Sequence, residues 1–131
     1  IENADKPPLT FYEIKKTLSQ FSENDSWVMT KHGRFSEKAN LFPNSVFIIG
    51  VDTLRRVVDE KFYRNRKDMI DHLGRFNDHN INFLVFGRKV NRKFLTLKNI
   101  EVPEILKERL TGIDESVFRQ DISSSSLRLE K

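Results

Sequence analysis

Two short apolar runs constrain this chain more than any other feature. Val46-Phe47-Ile48-Ile49 ends at Gly50, and Phe83-Leu84-Val85-Phe86 ends at Gly87. Neither alternates with polar residues, so neither suits a strand with one face in water. Continuous β-branched and aromatic runs of this length belong to strands buried on both faces, as in parallel sheets. Between them, Met69, Ile70, Leu73 and Phe76 recur at helical spacing and predict a helix from Lys67 to His79. The chain is therefore expected to be α/β, with a parallel sheet carrying helices on both faces. Both runs are expected to lie at its centre.

The remaining segments fill in a single domain spanning residues 1–131. Thr10 and Glu13 form a capping-box pattern, and Phe11, Ile14, Leu18 and Phe21 continue it as a helix from Phe11 to about Phe21. Trp27-Val28-Met29-Thr30 reads as a buried strand. Phe35 to Phe42 reads as a short helix stopped by Pro43. Asp52 or Thr53 can cap a helix through about Val58. Lys93 to Val102 is irregular or strand-like. Pro103 suits the first turn of a helix through Leu110. Val117-Phe118-Arg119 reads as a last short strand, and Ser123 to Ser126 lead into a C-terminal helix.

Composition narrows the function classes. Leu, Ile, Val and Phe supply 42 of 131 residues, well above the roughly one-fifth below which chains tend to stay disordered. The 23 basic and 19 acidic residues leave a net charge of +4. That suits anionic ligands but is too small an excess to indicate nucleic acid, which is not expected as a partner. Cysteine is absent, which excludes disulfides, thiolate zinc sites and a cysteine nucleophile. With no signal peptide at the start of the chain, a cytoplasmic location is expected. No apolar run approaches the roughly 20 residues of a membrane span, so no membrane partner is expected.

Ligands of open parallel sheets bind at the carboxyl ends of the strands. Three segments suit that position. In Gly50-Val51-Asp52, Gly50 lets a ligand approach the backbone, and Asp52 has the reach to accept from ribose hydroxyls. From spacing alone, Asp52 serves equally well as a helix cap. In Gly87-Arg88-Lys89, two cations suit a polyphosphate, although a solvated basic loop has the same composition. In Ile122 to Arg128, Ser123 and Ser124 place hydroxyls beside the free N–H groups of a helix start, and Arg128 lies four residues after Ser124. A serine-rich tail with an ordinary cap would look the same. His72 and His79 are seven residues apart with no third ligand, so no metal site is expected. Asn24-Asp25-Ser26 fits a glycosylation sequon that arises often by chance. P-loop, dinucleotide and hydrolase-elbow glycine motifs are all missing.

Taken in order, Ile48-Ile49-Gly50-Val51-Asp52, Phe83-Leu84-Val85-Phe86-Gly87-Arg88 and Ile122-Ser123-Ser124-Ser125-Ser126-Leu127-Arg128 resemble the nucleotidylyltransferase superfamily. The likeness is to its nicotinamide-nucleotide adenylyltransferase-like and cytidylyltransferase-like group, with an Ile-Ser-Ser-Thr-x-Ile-Arg signature. Ser125 stands for the Thr and Leu127 for the second Ile. Asn3 to Leu9 also resembles a loop of a bacterial-type branch, so the resemblance runs over essentially the whole chain.

The resemblance implies a Rossmann-like sheet of nucleotidylyltransferase type and a defined reaction. A phosphate of a mononucleotide, such as nicotinamide mononucleotide, attacks the α-phosphorus of ATP or CTP, and pyrophosphate leaves. Mg2+ would arrive with the nucleoside triphosphate. Ser123, Ser124 and Arg128 would hold the triphosphate and the departing pyrophosphate, with Ser124 and Arg128 in catalytic roles. Gly50 and Asp52 would contact the ribose, and Arg88 would add charge near the phosphates. Where nicotinamide-specific members stack a Trp on the pyridine ring, this chain has Tyr63. The family's His-x-Gly-His motif is missing from the 131 residues. Because the first residue is Ile1 rather than Met, the motif, its preceding strand and the first helix are expected upstream, and that strand is expected to be central. Self-association is left open. The alternative is a non-catalytic nucleotide- or phosphate-binding module that has lost those histidines.

Overall fold

The computed structural model describes residues 9–119. In chain order its elements are α1 (Phe11–Leu18), α2 (Phe35–Leu41), β1 (Val46–Gly50), α3 (Val51–Val57), α4 (Arg66–Asp78), β2 (Asn82–Phe86), β3 (Arg88–Val90), β4 (Lys93–Leu95), α5 (Glu104–Lys107) and β5 (Leu110–Ile113). Single 3-10 turns occupy Glu60–Phe62 and Leu97–Asn99.

The three longer strands form a parallel sheet in the order β1-β2-β5. Phe47 pairs with Phe83 and Ile49 with Val85, so these four side chains share one face. Against that face lies a single core to which α2 contributes Ala39, α3 Val51 and Leu54, α4 Met69, Leu73 and Phe76, and α5 Leu106. A row of rings crosses the core, with centroids 6.0 Å apart for Phe35–Phe47, 5.7 Å for Phe47–Phe83 and 4.9 Å for Phe83–Phe76. The strand order explains this one-sided coverage. Parallel crossovers are right-handed, so strands added in a single direction send every crossover helix to the same side.

The capping box read at Thr10 and Glu13 holds, although α1 stops at Leu18. Thr10 and Glu13 make the reciprocal capping box at α1, and the Asn65 side chain accepts from the Asp68 N–H to start α4. The predicted α4 face is the buried one, apart from half-buried Ile70.

Five expectations are corrected. β1 is an edge strand among the described residues, with Val46 56 % and Ile48 69 % exposed on the face away from the core. Only β2 is central, and the described helices that enter the core do so on one face of the sheet, not two. Trp27-Val28-Met29-Thr30 is not a strand, because it pairs with no ladder, and Trp27 is 51 % exposed. The helix after Pro103 stops at Lys107, and Leu110–Ile113 pairs with β2 instead; the ladder outweighs the weak helical preference of Leu-Thr-Gly-Ile. Val117-Phe118-Arg119 is not a strand; a turn over 115–117 precedes Phe118, and the Val117 and Phe118 N–H groups both donate to the Asp114 carbonyl.

β3 and β4 make an antiparallel hairpin joined by Asn91 and Arg92, at φ of 48° and 70°. Two successive left-handed residues define the hairpin turn that matches strand twist and that favours glycine at its second position. Arg92→Gly is therefore expected to stabilise the fold by about 1 kcal/mol, read as a higher urea midpoint. An unchanged or lower midpoint would show that Arg92 is not under conformational strain.

Candidate functional site

The carboxyl ends of β1 and β2 bring together two of the three predicted segments. β1 passes into α3 without a loop, so Gly50 is both the last strand residue and the residue that precedes the helix. Neither Asp52 nor Thr53 is the cap; Asp52 lies in the first turn of α3, where its charge favours the positive end of the helix dipole. A Cβ at Gly50 would stand 2.7 Å from Asp52 Oδ1, so a side chain there would turn the carboxylate from its present position.

From the next strand end, Arg88 donates to Asp52 Oδ2 at 2.5 Å. The pair is partly exposed, at 30 % for each side chain. Gly87 makes this reach possible. A Cβ at Gly87 would lie 2.5 Å from a Phe94 ring carbon and 2.8 Å from the Leu95 carbonyl oxygen, so any side chain would push the hairpin off the rim. Gly50, Asp52, Gly87 and Arg88 thus share one rim, although Gly-x-Asp and Gly-Arg lie far apart in sequence. Asp52 Oδ1 accepts no hydrogen bond among the described residues. The Arg88 guanidinium keeps N–H donors beyond the one spent on Asp52. Chemically, the rim offers an acceptor for hydroxyls beside a cation for phosphate.

Tyr63 is not at an empty platform. Its hydroxyl donates to the Val57 carbonyl at 2.7 Å, its ring lies 5.4 Å from the His72 ring, and the Arg34 guanidinium sits 5.4 Å from its centroid. Burial pushes its phenol pKa up. Ser123, Ser124 and Arg128 lie outside the described residues, as do Asn3 to Pro8 of the resembling loop.

A second polar cluster, around His72, has no counterpart in the sequence reading beyond a spacing with His79. Arg34 contacts His72 Nε2 at 3.1 Å, and Ser36 Oγ contacts Nδ1 at 2.8 Å. A guanidinium can only donate, so Nε2 accepts and Nδ1 carries the proton toward Ser36. The cluster disfavours the charged form of His72, although Asp68 Oδ1 lies 3.7 Å from the same Nε2. Desolvation first, then the charges of Arg75 and Arg34, lower its pKa from the ordinary 6.5, while Asp68 and Glu37 oppose them. The contacts are mutually committed, and Ser36 is buried, which favours a role in joining α2 to α4. The unfolded chain takes up the proton first, so the contribution of His72 is complete above about pH 6.5 and is lost as pH falls toward its lower folded pKa. Urea midpoints are expected to fall between pH 7.5 and 5.5, and His72→Gln is expected to flatten that change. Equal midpoints in the wild type would contradict the assignment. Asp68, whose carboxylate accepts from the Arg64 N–H, is held below its usual range and acts only at lower pH.

Among the described residues no three His, Asp or Glu side chains converge as metal ligands, and no helix is long and apolar enough to cross a membrane. Comparison with protein-family models, curated proteins and solved structures finds no match.

Proposed function

We propose that this domain transfers a nucleotidyl group, adenylyl from ATP or cytidylyl from CTP, to the phosphate of a mononucleotide such as nicotinamide mononucleotide. The acceptor's phosphate oxygen forms a bond to the α-phosphorus, the bond from that phosphorus to the β-bridging oxygen breaks, and pyrophosphate carries away the electron pair. The observation that carries this reading is the Asp52–Arg88 pair at the carboxyl rim of a parallel sheet. In it, Asp52 Oδ1 accepts from the ribose, and Arg88 donates charge-assisted hydrogen bonds to the phosphates. Ser123, Ser124 and Arg128 complete the phosphate contacts; Tyr63, already engaged by Val57, His72 and Arg34, is given no part in holding the acceptor. Mg2+ enters as part of the nucleotide substrate. Among the described residues the outer edge of β1 pairs with no strand, which leaves room for one beside it.

The test incubates the full protein with each triphosphate, Mg2+ and a panel of mononucleotides, and measures pyrophosphate release and the joined product. Asp52→Asn is expected to weaken triphosphate binding roughly 10- to 100-fold, the loss of one charged hydrogen bond. Its melting temperature should change little, since a part-exposed ion pair contributes under about 1 kcal/mol. Binding unaffected by Asp52→Asn would remove the rim from the site. The lack of His-x-Gly-His in this sequence favours, as a second reading, a module that binds nucleotide without turnover; binding with no pyrophosphate release distinguishes it.

A further inference from the structure

The positive charge of this protein is not spread along the chain. No Asp or Glu occurs from His79 to Ile100, a stretch that holds Arg88, Lys89, Arg92, Lys93 and Lys98. The other residues contain 18 cations against 19 acids, so the whole excess of +4 arises from this stretch. Four of its five cations lie in the β3–β4 hairpin. Lys89, Arg92 and Lys93 are exposed and make no ion pair among the described residues.

Aromatic rings accompany these cations. Lys89 pairs with Phe94 across the ladder, so their side chains share a face. The Arg119 guanidinium stands 5.0 Å from the centroid of the Phe94 ring. Beside it, Phe118 is 45 % exposed and meets Phe86, the last residue of β2, edge-on at 5.1 Å. Arg92 occupies a left-handed turn position that glycine fills without strain. The backbone strain at this turn is therefore borne by a cation, not by glycine.

We propose that this hairpin and Phe118 form a binding surface for single-stranded nucleic acid. Unpaired cations track a phosphate backbone, and adjacent rings stack bases without choosing among them, since every base has a π face. An acidic protein would need the cations but not the rings. A duplex would hide the base faces. The proposal stands apart from the nucleotidyl reading, because Lys89, Arg92, Lys93 and Phe118 take no part in that site.

The experiment is fluorescence anisotropy of a labelled oligo-deoxythymidine of about 15 nucleotides against the full protein, from roughly 50 to 200 mM salt. Three phosphate contacts are expected to give a slope of log affinity on log salt of about −2. Arg92→Gly is expected to make the slope shallower by about 0.7, while raising the urea midpoint, so weaker binding will not be mistaken for misfolding. Phe118→Ala is expected to weaken binding without changing the slope. Lys89→Ala combined with Arg92→Gly and Lys93→Ala is expected to weaken binding at least tenfold. Tighter binding of polyglutamate or of a duplex of equal length, displacement of the oligonucleotide by ATP, or wild-type binding by the triple variant would each overturn the proposal.

Discussion

Phe83→Ala is expected to destabilise the domain by about 3–5 kcal/mol, the usual range for emptying a buried phenylalanine site. Phe83 lies on the central strand of the described sheet, is 1 % exposed and touches both Phe47 and Phe76 edge-on. Its removal breaks the ring row in the middle. The cavity would be walled by β-sheet on one side and by α4 on the other, and neither collapses easily. A loss of this size is a large share of the roughly 5–15 kcal/mol that holds a typical domain together. Ile48 supplies the contrast. It is equally apolar and one residue from Phe47, but it faces away from the core. Ile48→Ala is expected to stay within about 0.5 kcal/mol. Equilibrium urea unfolding of both variants measures the difference. A loss below about 1 kcal/mol for Phe83→Ala would mean that the core does not depend on this ring. A large loss for Ile48→Ala would mean that something covers the outer face of β1 in solution.

That contrast also marks what the sequence could and could not reveal. Val46 to Ile49 reads as a strand buried on both sides because it does not alternate. The strand exists and is parallel, but Val46 and Ile48 are open. Periodicity reports what a segment is suited to, and coverage depends on neighbours that local pattern does not specify. Position at the edge or centre of a sheet is likewise a tertiary outcome. The α4 helix was legible because the apolar spacing runs over more than three turns and matches the buried face. β5 was hidden because Leu-Thr-Gly-Ile continues a proline-started helical pattern, and only pairing with β2 makes it a strand. Trp27 to Thr30 is as apolar as a strand but finds no ladder.

At the rim, the glycines ending both strands correctly placed Asp52 and Arg88 together, but not the bond between them. Counting charge over the whole chain concealed the acid-free stretch around the hairpin, which a windowed count would have found. The His72 cluster left no such signal, because Arg34 and Ser36 come from a segment far away in sequence.

The largest effect on activity is expected from Arg128→Ala in the full protein. Its basis is the run Ile122 to Arg128, in which paired serines precede a cation four residues after Ser124. In the proposed reaction negative charge grows on the departing pyrophosphate as the bond to the α-phosphorus breaks. A guanidinium placed there binds two oxygens at once and acts more strongly on the transition state than on bound substrate. Losing one strong anion-stabilising donor costs about 2–4 kcal/mol of that stabilisation, or roughly 30- to 1000-fold in turnover. Arg128→Lys keeps the charge but not the fork, so it is expected to recover only part of the loss. The core described above is built from residues between Phe35 and Leu110, and the melting temperature of both variants is expected to match the wild type. Turnover and melting temperature are measured on the same preparations. Unchanged turnover in Arg128→Ala would dismiss the phosphate role of this arginine, and with it the motif on which the transfer reaction rests. Lost turnover with a lowered melting temperature would instead make Arg128 a structural residue. Lost turnover at a constant melting temperature, partly restored by lysine, is the pattern expected of a phosphate contact.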